Sequence, residues 1–203
     1  MMCQELLGSP LPKQIAVFRA LQLGDLLCAV PAWRALRAAL PDVRVTLIGL
    51  PWARSFVERF SAYLDDFLEF PGFSGLPEQK PNLAAIPAFL ADAQRRRFDL
   101  ALQMHGDGLI SNPIAVLLGA RVNAGFFVPG QYSPDPDRFF PYPAELSEVR
   151  RNLRLVECIG IPPQGEHLEF PLGKEDENAL QTIDGIQKLA PGRYVCIHPG
   201  ARE

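Results

Sequence analysis

The sequence predicts an α/β fold in which a parallel sheet is covered by helices on both faces. Short apolar runs of strand length recur along the 203 residues and alternate with segments whose apolar residues have helical spacing. These strands are too apolar to face water on either side, which is typical of a parallel sheet buried between helices. Turns rich in glycine and proline separate the elements, since the chain contains 20 Pro and 16 Gly. Together these patterns indicate a Rossmann-like sheet.

The first part of the chain supplies the opening strands and helices of this sheet, after a leader at residues 1–12. The predicted elements are, in order, strand Ile15–Phe18, helix Leu26–Leu40, strand Val43–Gly49, helix Trp52–Phe60 and strand Tyr63–Phe70. Pro31 is tolerated near the start of the first helix, and Pro41 ends that helix.

The middle of the chain continues the alternation with longer connections. The predicted elements are loop Gly72–Pro81, helix Asn82–Arg97, strand Asp99–Met104, helix Ile110–Leu118, strand Ala120–Phe126, an aromatic and proline-rich loop Phe127–Pro143, and helix Glu145–Ile159. A loop as long as Phe127–Pro143 is functional or is packed by its own side chains.

The last part of the chain predicts the beginning of a second α/β domain. Residues 13–173 hold the elements of one Rossmann-like domain, whereas residues 174–203 hold a predicted helix, Asn178–Leu189, and a buried-type strand, Tyr194–His198. A strand of this type followed by a glycine turn normally leads into a helix, so we expect a truncated second domain. The alternative is that this strand joins the first sheet.

Composition and charge exclude several classes of function. With 20 Lys and Arg against 23 Asp and Glu, the net charge is −3, so binding to nucleic acid by phosphate neutralisation is not expected. The histidines share no metal-ligand spacing, and no cofactor motif is present, so we predict neither metal nor cofactor. The chain has no secretory signal and no apolar run of about 18 residues, which predicts a cytoplasmic protein.

Two strand ends carry the residues expected to bind and activate a substrate, because ligands of open parallel sheets bind at the carboxyl ends of strands. After the first strand, Arg19 is placed to hold an anion and Gly24 allows close approach of the backbone. Asp25 is either an N-cap carboxylate or a general base in the cleft, and the two roles do not exclude each other.

The loop after the strand Asp99–Met104 offers further polar groups. His105 and Asp107 could bind a polyol, although Asp107 could equally cap the next helix. Ser111 and Asn112 add polar contacts at the same rim or cap that helix. We therefore predict substrate contacts from Arg19 and Gly24 on one loop and from these four residues on the other.

A third strand end, at the end of the chain, predicts an incomplete phosphate site. His198 ends the last predicted strand, and Gly200 and Ala201 follow it, where a glycine turn and a helix N-terminus would bind an anion. No G-x-G-x-x-G or P-loop pattern occurs. Hydride transfer with a dinucleotide and P-loop phosphoryl transfer therefore have no support.

Three segments, in order along the chain, resemble glycosyltransferase family nine, the lipopolysaccharide heptosyltransferase family. They read IAVFRALQLGDLLCAVPAWRALRAALPD, FDLALQMHGDGLISNPIAVLLGARVNAGF and YVCIHPGA. The first resembles the start of the family's amino-terminal domain, with its Gly-Asp motif. The second is similar to its D-L-x-I-x-L-Q-G strand and loop, and the third resembles the opening of its donor-binding domain.

The resemblance implies the amino-terminal half of a GT-B fold, with two Rossmann-like domains in the complete family member. It implies an inverting transferase that moves a sugar from a nucleotide-sugar, of the ADP-heptose type, to a lipid-linked glycan acceptor. The family's proposed general base corresponds to Asp25. His198, Gly200 and Ala201 correspond to the opening of the donor side.

The sequence departs from the family in two ways that leave alternatives open. The loop at His105 differs from the commoner Gln-Gly form, and we expect the donor domain that follows His198 in the family to be missing. A non-catalytic acceptor-binding or interaction domain is therefore the alternative function. Peripheral contact with the inner face of the membrane and a partner chain that supplies the missing half are also left open.

Overall fold

The structure, a computed structural model, describes residues 6–7, 10–190 and 192–197. The chain divides into a first compact unit, which ends at Glu169, and a second unit, which begins at Phe170. The candidate site lies in the first unit.

A six-stranded parallel sheet forms the centre of the first unit. The strands are β1 (Gln14–Phe18), β2 (Arg44–Gly49), β3 (Asp66–Glu69), β4 (Leu100–Gln103), β5 (Val122–Phe127) and β6 (Phe139–Pro141). Their order is β3-β2-β1-β4-β5-β6, and neighbouring strands pair in parallel. The direction of winding reverses between β1 and β4, which opens a crevice at their carboxyl ends.

Helices cover both faces of this sheet. They are α1 (Leu23–Ala39), α2 (Ala53–Arg59), α3 (Ile86–Arg95), α4 (Ser111–Leu117) and α5 (Glu148–Cys158). Successive side chains of β1 point to opposite faces: Val17 joins a buried cluster with residues of α1, α2 and α5, whereas Phe18 joins another with residues of α3 and α4. The predicted Rossmann-like α/β fold with helices on both faces is confirmed.

Several predicted boundaries in the first unit are wrong, and each has a local cause. The helix predicted at Leu26–Leu40 begins three residues earlier, at Leu23, because Gln22 takes the N-cap position. A 3-10 turn precedes α3, whose first turn contains Pro87, a residue that favours a helix start. The predicted loop Phe127–Pro143 contains a short edge strand, β6, that pairs with β5.

The second unit differs more from the prediction. Instead of one helix at Asn178–Leu189, it contains α6 (Lys174–Gln181), which ends with Thr182 as its C-cap, and a 3-10 turn at residues 186–188, which follows Gly185 at a φ of +79°. The predicted strand Tyr194–His198 is wrong over residues 194–197, which pair with no described strand and leave Val195 86% exposed. An apolar segment forms a strand only when a neighbouring strand satisfies its backbone. The described sheet holds β1–β6 alone, so the alternative placement in that sheet is not seen either.

Candidate functional site

The loops after β1 and β4 meet at the carboxyl edge of the sheet. The two strands are parallel neighbours, with Phe18 opposite Gln103, so the residues that follow them emerge side by side. The backbone N–H of Met104 donates to the carbonyl of Phe18, and the N–H of Ala20 donates to Nδ1 of His105 at 3.2 Å. The two predicted loops therefore form one site.

Asp25 is the third residue of α1 and lies at this edge. Its Oδ2 atom accepts a hydrogen bond from the N–H of Gln22, the N-cap residue, at 3.2 Å. The positive end of the helix dipole favours a negative charge in this first turn. The side chain is half-buried, so the carboxylate is held in place and still reachable from the crevice. It acts at the third helical position and not as the N-cap itself.

Gly24 leaves open space beside this carboxylate. A Cβ atom added to Gly24 would meet no other atom within 4 Å, and its backbone is helical without a positive φ. Neither packing nor conformation therefore requires glycine here. A substrate could therefore approach the backbone at Gly24.

Arg19 is buried at 1% exposure and all its N–H groups are bonded to the protein. Nε and Nη2 donate to the carbonyl of Asp25, Nη1 donates to the carbonyl of Met104 and to Asn152, and Nη2 also donates to Glu148 at 2.8 Å. The sequence predicted an anion contact for this guanidinium. The structure instead shows it joining the first turn of α1, the end of β4 and α5.

Glu148 is the acidic partner of Arg19. Burial opposes its charge, but hydrogen bonds from Arg19 and from Arg151 outweigh that effect and lower the pKa of the Glu148 carboxyl. Neither Glu148 nor Asn152 was singled out from the sequence, because both lie more than 120 residues from Arg19 and carry no local motif.

His105 is a neutral, buried imidazole. Burial, aided by the charge of Arg19, lowers the pKa of His105 to about 4. Because Nδ1 accepts the Ala20 N–H, the proton of the neutral ring lies on Nε2, which faces Oε1 of Glu78 at 3.6 Å. The ring also stacks on Phe18. His105 can therefore donate a hydrogen bond from Nε2.

The other predicted contacts of this loop mainly brace it. Asp107 Oδ1 accepts the N–H of Leu109 at 2.9 Å, and this half-buried carboxylate lies in the loop before α4. Ser111 is buried and donates to the carbonyl of His105 at 2.6 Å. Asn112 is buried and donates to the carbonyl of Phe126, which holds the loop against β5. Ser111 and Asn112 therefore hold the loop after β4 in place.

The remaining predicted site residues, His198, Gly200 and Ala201, lie outside the described residues. Within the described part of the chain, no cluster of three His, Cys, Asp or Glu side chains is arranged to hold a metal ion. The helices there are also too short or too polar to cross a membrane.

Comparison of the sequence with protein-family models and with curated proteins finds no match. Comparison with solved structures finds several matches. A glycosyl transferase family 9 protein from Veillonella parvula has a TM-score of 0.64 at 16% identity, over 89% of this chain and 51% of that one. E. coli ADP-heptose LPS heptosyltransferase II has a TM-score of 0.63 at 14% identity, over 82% of this chain and 49% of that one.

A third neighbour is the E. coli heptosyltransferase WaaC with ADP-2-deoxy-2-fluoro heptose, with a TM-score of 0.53 at 17% identity, over 75% of this chain and 50% of that one. At these identities the likeness establishes the fold. The chain spans about half the length of each of these structures. It therefore has the fold of part of these glycosyltransferases, which is the fold that the resemblance to family nine predicts.

Proposed function

We propose that this chain is the acceptor-binding half of an inverting glycosyltransferase, in which Asp25 is the general base. The observation that carries the proposal is the placement of Asp25: a half-buried carboxylate in the first turn of α1, at the crevice of the sheet, beside the open space at Gly24. The solved structures with this fold are glycosyltransferases, which supports the same class.

The chemistry requires a base because an acceptor hydroxyl is a poor nucleophile. Asp25 would take the proton of that hydroxyl while its oxygen bonds to the anomeric carbon of the donor. The bond from that carbon to the diphosphate oxygen breaks, and the nucleotide diphosphate leaves with the electron pair. Attack from the face opposite the leaving group inverts the anomeric centre. A positioned base contributes about 10²–10⁴-fold to such a step.

The substrate assignments extend the same proposal. Two of the neighbours are heptosyltransferases named for, or solved with, ADP-heptose compounds, so we propose a nucleotide-sugar of this type as donor. We propose a lipid-linked glycan as acceptor, met in the cytoplasm at the inner face of the membrane. Gly24, His105 and Asp107 would line the acceptor side, and His198, Gly200 and Ala201 would contact the donor phosphates.

The test is transfer of heptose from ADP-heptose to deacylated lipopolysaccharide core oligosaccharide, measured by mass spectrometry on the native protein from its source cell. Asp25→Asn should reduce the rate by about 10²-fold or more while the protein stays folded. The matched control is Asp42→Asn, which changes an exposed aspartate just after α1 and should leave the rate unchanged. Retained transfer by Asp25→Asn would refute the role of the base.

The alternative that the sequence leaves open is a binding module without transferase activity. Such a module would bind the oligosaccharide and neither bind ADP nor transfer sugar. Binding of ADP to the 203-residue chain, measured by calorimetry, would exclude it.

A further inference from the structure

The loop between β3 and the turn before α3 brings a second carboxylate, that of Glu78, to the site. Residues 71–82 join β3 to the turn before α3, and the N–H of Asn82 donates to the carbonyl of Pro71, which closes the loop at its base. Gln79 donates to the carbonyl of Phe70 at 2.8 Å. Gly75 lies so close to Ile110 that an added Cβ would clash at 2.6 Å, so the loop packs against the segment before α4. Glu78 is thereby held over the carboxyl edge of the sheet.

Glu78 faces the residues already assigned to the site. Its Oε1 atom lies 3.6 Å from Nε2 of His105, and its side chain is 17% exposed. Its Oε2 atom is buried and has no hydrogen-bond partner among the residues that the structure describes. Burial raises the pKa of this carboxyl; a hydrogen bond from its own backbone N–H opposes the rise, and the charge of Asp25 adds to it.

These contacts do not make Glu78 a structural ion pair. His105 is neutral above about pH 4, so it brings no positive charge to the carboxylate. A separation of 3.6 Å is also longer than a hydrogen bond, so the two atoms are not bonded to each other and one oxygen lying beside them can contact both. A buried acceptor without a partner is destabilising, so this oxygen contributes nothing evident to the stability of the free chain.

We propose that Glu78 is an acceptor-positioning residue: it accepts a hydrogen bond from a hydroxyl of the acceptor sugar next to the one that Asp25 deprotonates. Nε2–H of His105 donates to the same bound hydroxyl, whose oxygen lies beside the two side-chain atoms and within hydrogen-bond distance of both. Two oriented contacts on one hydroxyl fix the sugar ring, and the neighbouring hydroxyl then faces Asp25. This assignment rests on the proposed function and specifies how that site recognises a polyol.

The test measures binding of deacylated lipopolysaccharide core oligosaccharide to the full chain by calorimetry, without donor. Glu78→Gln keeps the shape and removes the charge, and should weaken binding by about tenfold, since a carboxylate is a stronger hydrogen-bond acceptor than an amide oxygen. Glu78→Ala should weaken it further, and neither variant should lower the melting temperature. The matched control, Glu69→Gln, changes an exposed carboxylate at the end of β3 and should bind normally.

Two results would overturn the proposal: unchanged oligosaccharide affinity in Glu78→Gln, or a fall in melting temperature in Glu78→Ala that accounts for its loss of affinity. In the transfer assay with native protein, Glu78→Gln should raise the KM for the oligosaccharide far more than it lowers kcat, the reverse of Asp25→Asn. Weakened binding in Glu78→Gln together with retained transfer in Asp25→Asn would refute Asp25 as the base and leave the Glu78 contact standing.

Discussion

Replacing Arg19 tests whether this buried guanidinium supports the site or binds substrate. Its hydrogen bonds reach four acceptors: the carbonyls of Asp25 and Met104, and the side chains of Asn152 and Glu148. Arg19→Met leaves all four without this donor, and breaking a buried ion pair costs about 3–5 kcal/mol. Arg19→Lys keeps the charge, but an ammonium has three N–H groups, so at least one acceptor loses its partner, at about 1–3 kcal/mol.

The assay is urea and thermal unfolding followed by circular dichroism. For a unit of this size, Arg19→Met should lower the melting temperature by about 10 °C and Arg19→Lys by about 5 °C. The control is Arg150→Met, which removes an exposed ion pair with Glu166 and should cost about 1 kcal/mol or less. The reasoning is refuted if Arg19→Lys unfolds like the wild type yet loses oligosaccharide affinity, because Arg19 would then hold a substrate anion, as its position in the sequence suggested.

Three further predictions concern the crevice. Asp25→Asn should reduce the transfer rate by about 10²-fold or more while lowering stability by about 1 kcal/mol or less, because the amide oxygen can still accept the N–H of Gln22; a large loss of stability in urea would contradict this. Gly24→Ala should stabilise α1 by up to about 1 kcal/mol and raise the KM for the oligosaccharide, and unchanged kinetics would show that the open space is not used. His105 has a folded pKa of about 4 against 6.5 ordinarily, so the unfolded chain binds its proton first as pH falls. The free energy of unfolding should therefore drop by about 2 kcal/mol from about pH 7 to about pH 5, and His105→Gln should not show this drop. An equal drop in the variant would contradict the assignment of His105 as a neutral imidazole.

The sheet and its helices could be predicted from the sequence because their signal is local. Strands such as Ile15–Phe18 are short, apolar and bounded by turns, and a sheet buried on both faces is the only arrangement that hides them. The edge strand β6 could not be predicted in this way, because it is short, ends in Pro141 and forms only by pairing with β5. Tyr194–Ile197 has the composition of a strand, but composition does not supply a neighbouring strand.

The candidate site was partly predictable for the same reason. Gly24, Asp25 and His105 follow strands directly, so topology alone brings them to the same edge. The role of Arg19 depends on α5, which lies more than 120 residues away in the sequence. No local pattern therefore indicates that the N–H groups of Arg19 are bonded to the protein. Glu78 lies in a glycine- and proline-containing loop, and only the closed path of that loop places its carboxyl near His105.

The most direct test of the account is to map where the oligosaccharide binds, by backbone amide NMR of the isotope-labelled chain titrated with deacylated lipopolysaccharide core oligosaccharide. Saturable shifts are expected at the amides of residues 22–25 and 105–109, on the two loops at the carboxyl edge of the sheet. Shifts confined to the opposite edge, around Arg44 and Arg96, or no shifts at any concentration, would contradict the claim that this half of the protein holds the acceptor beside Asp25.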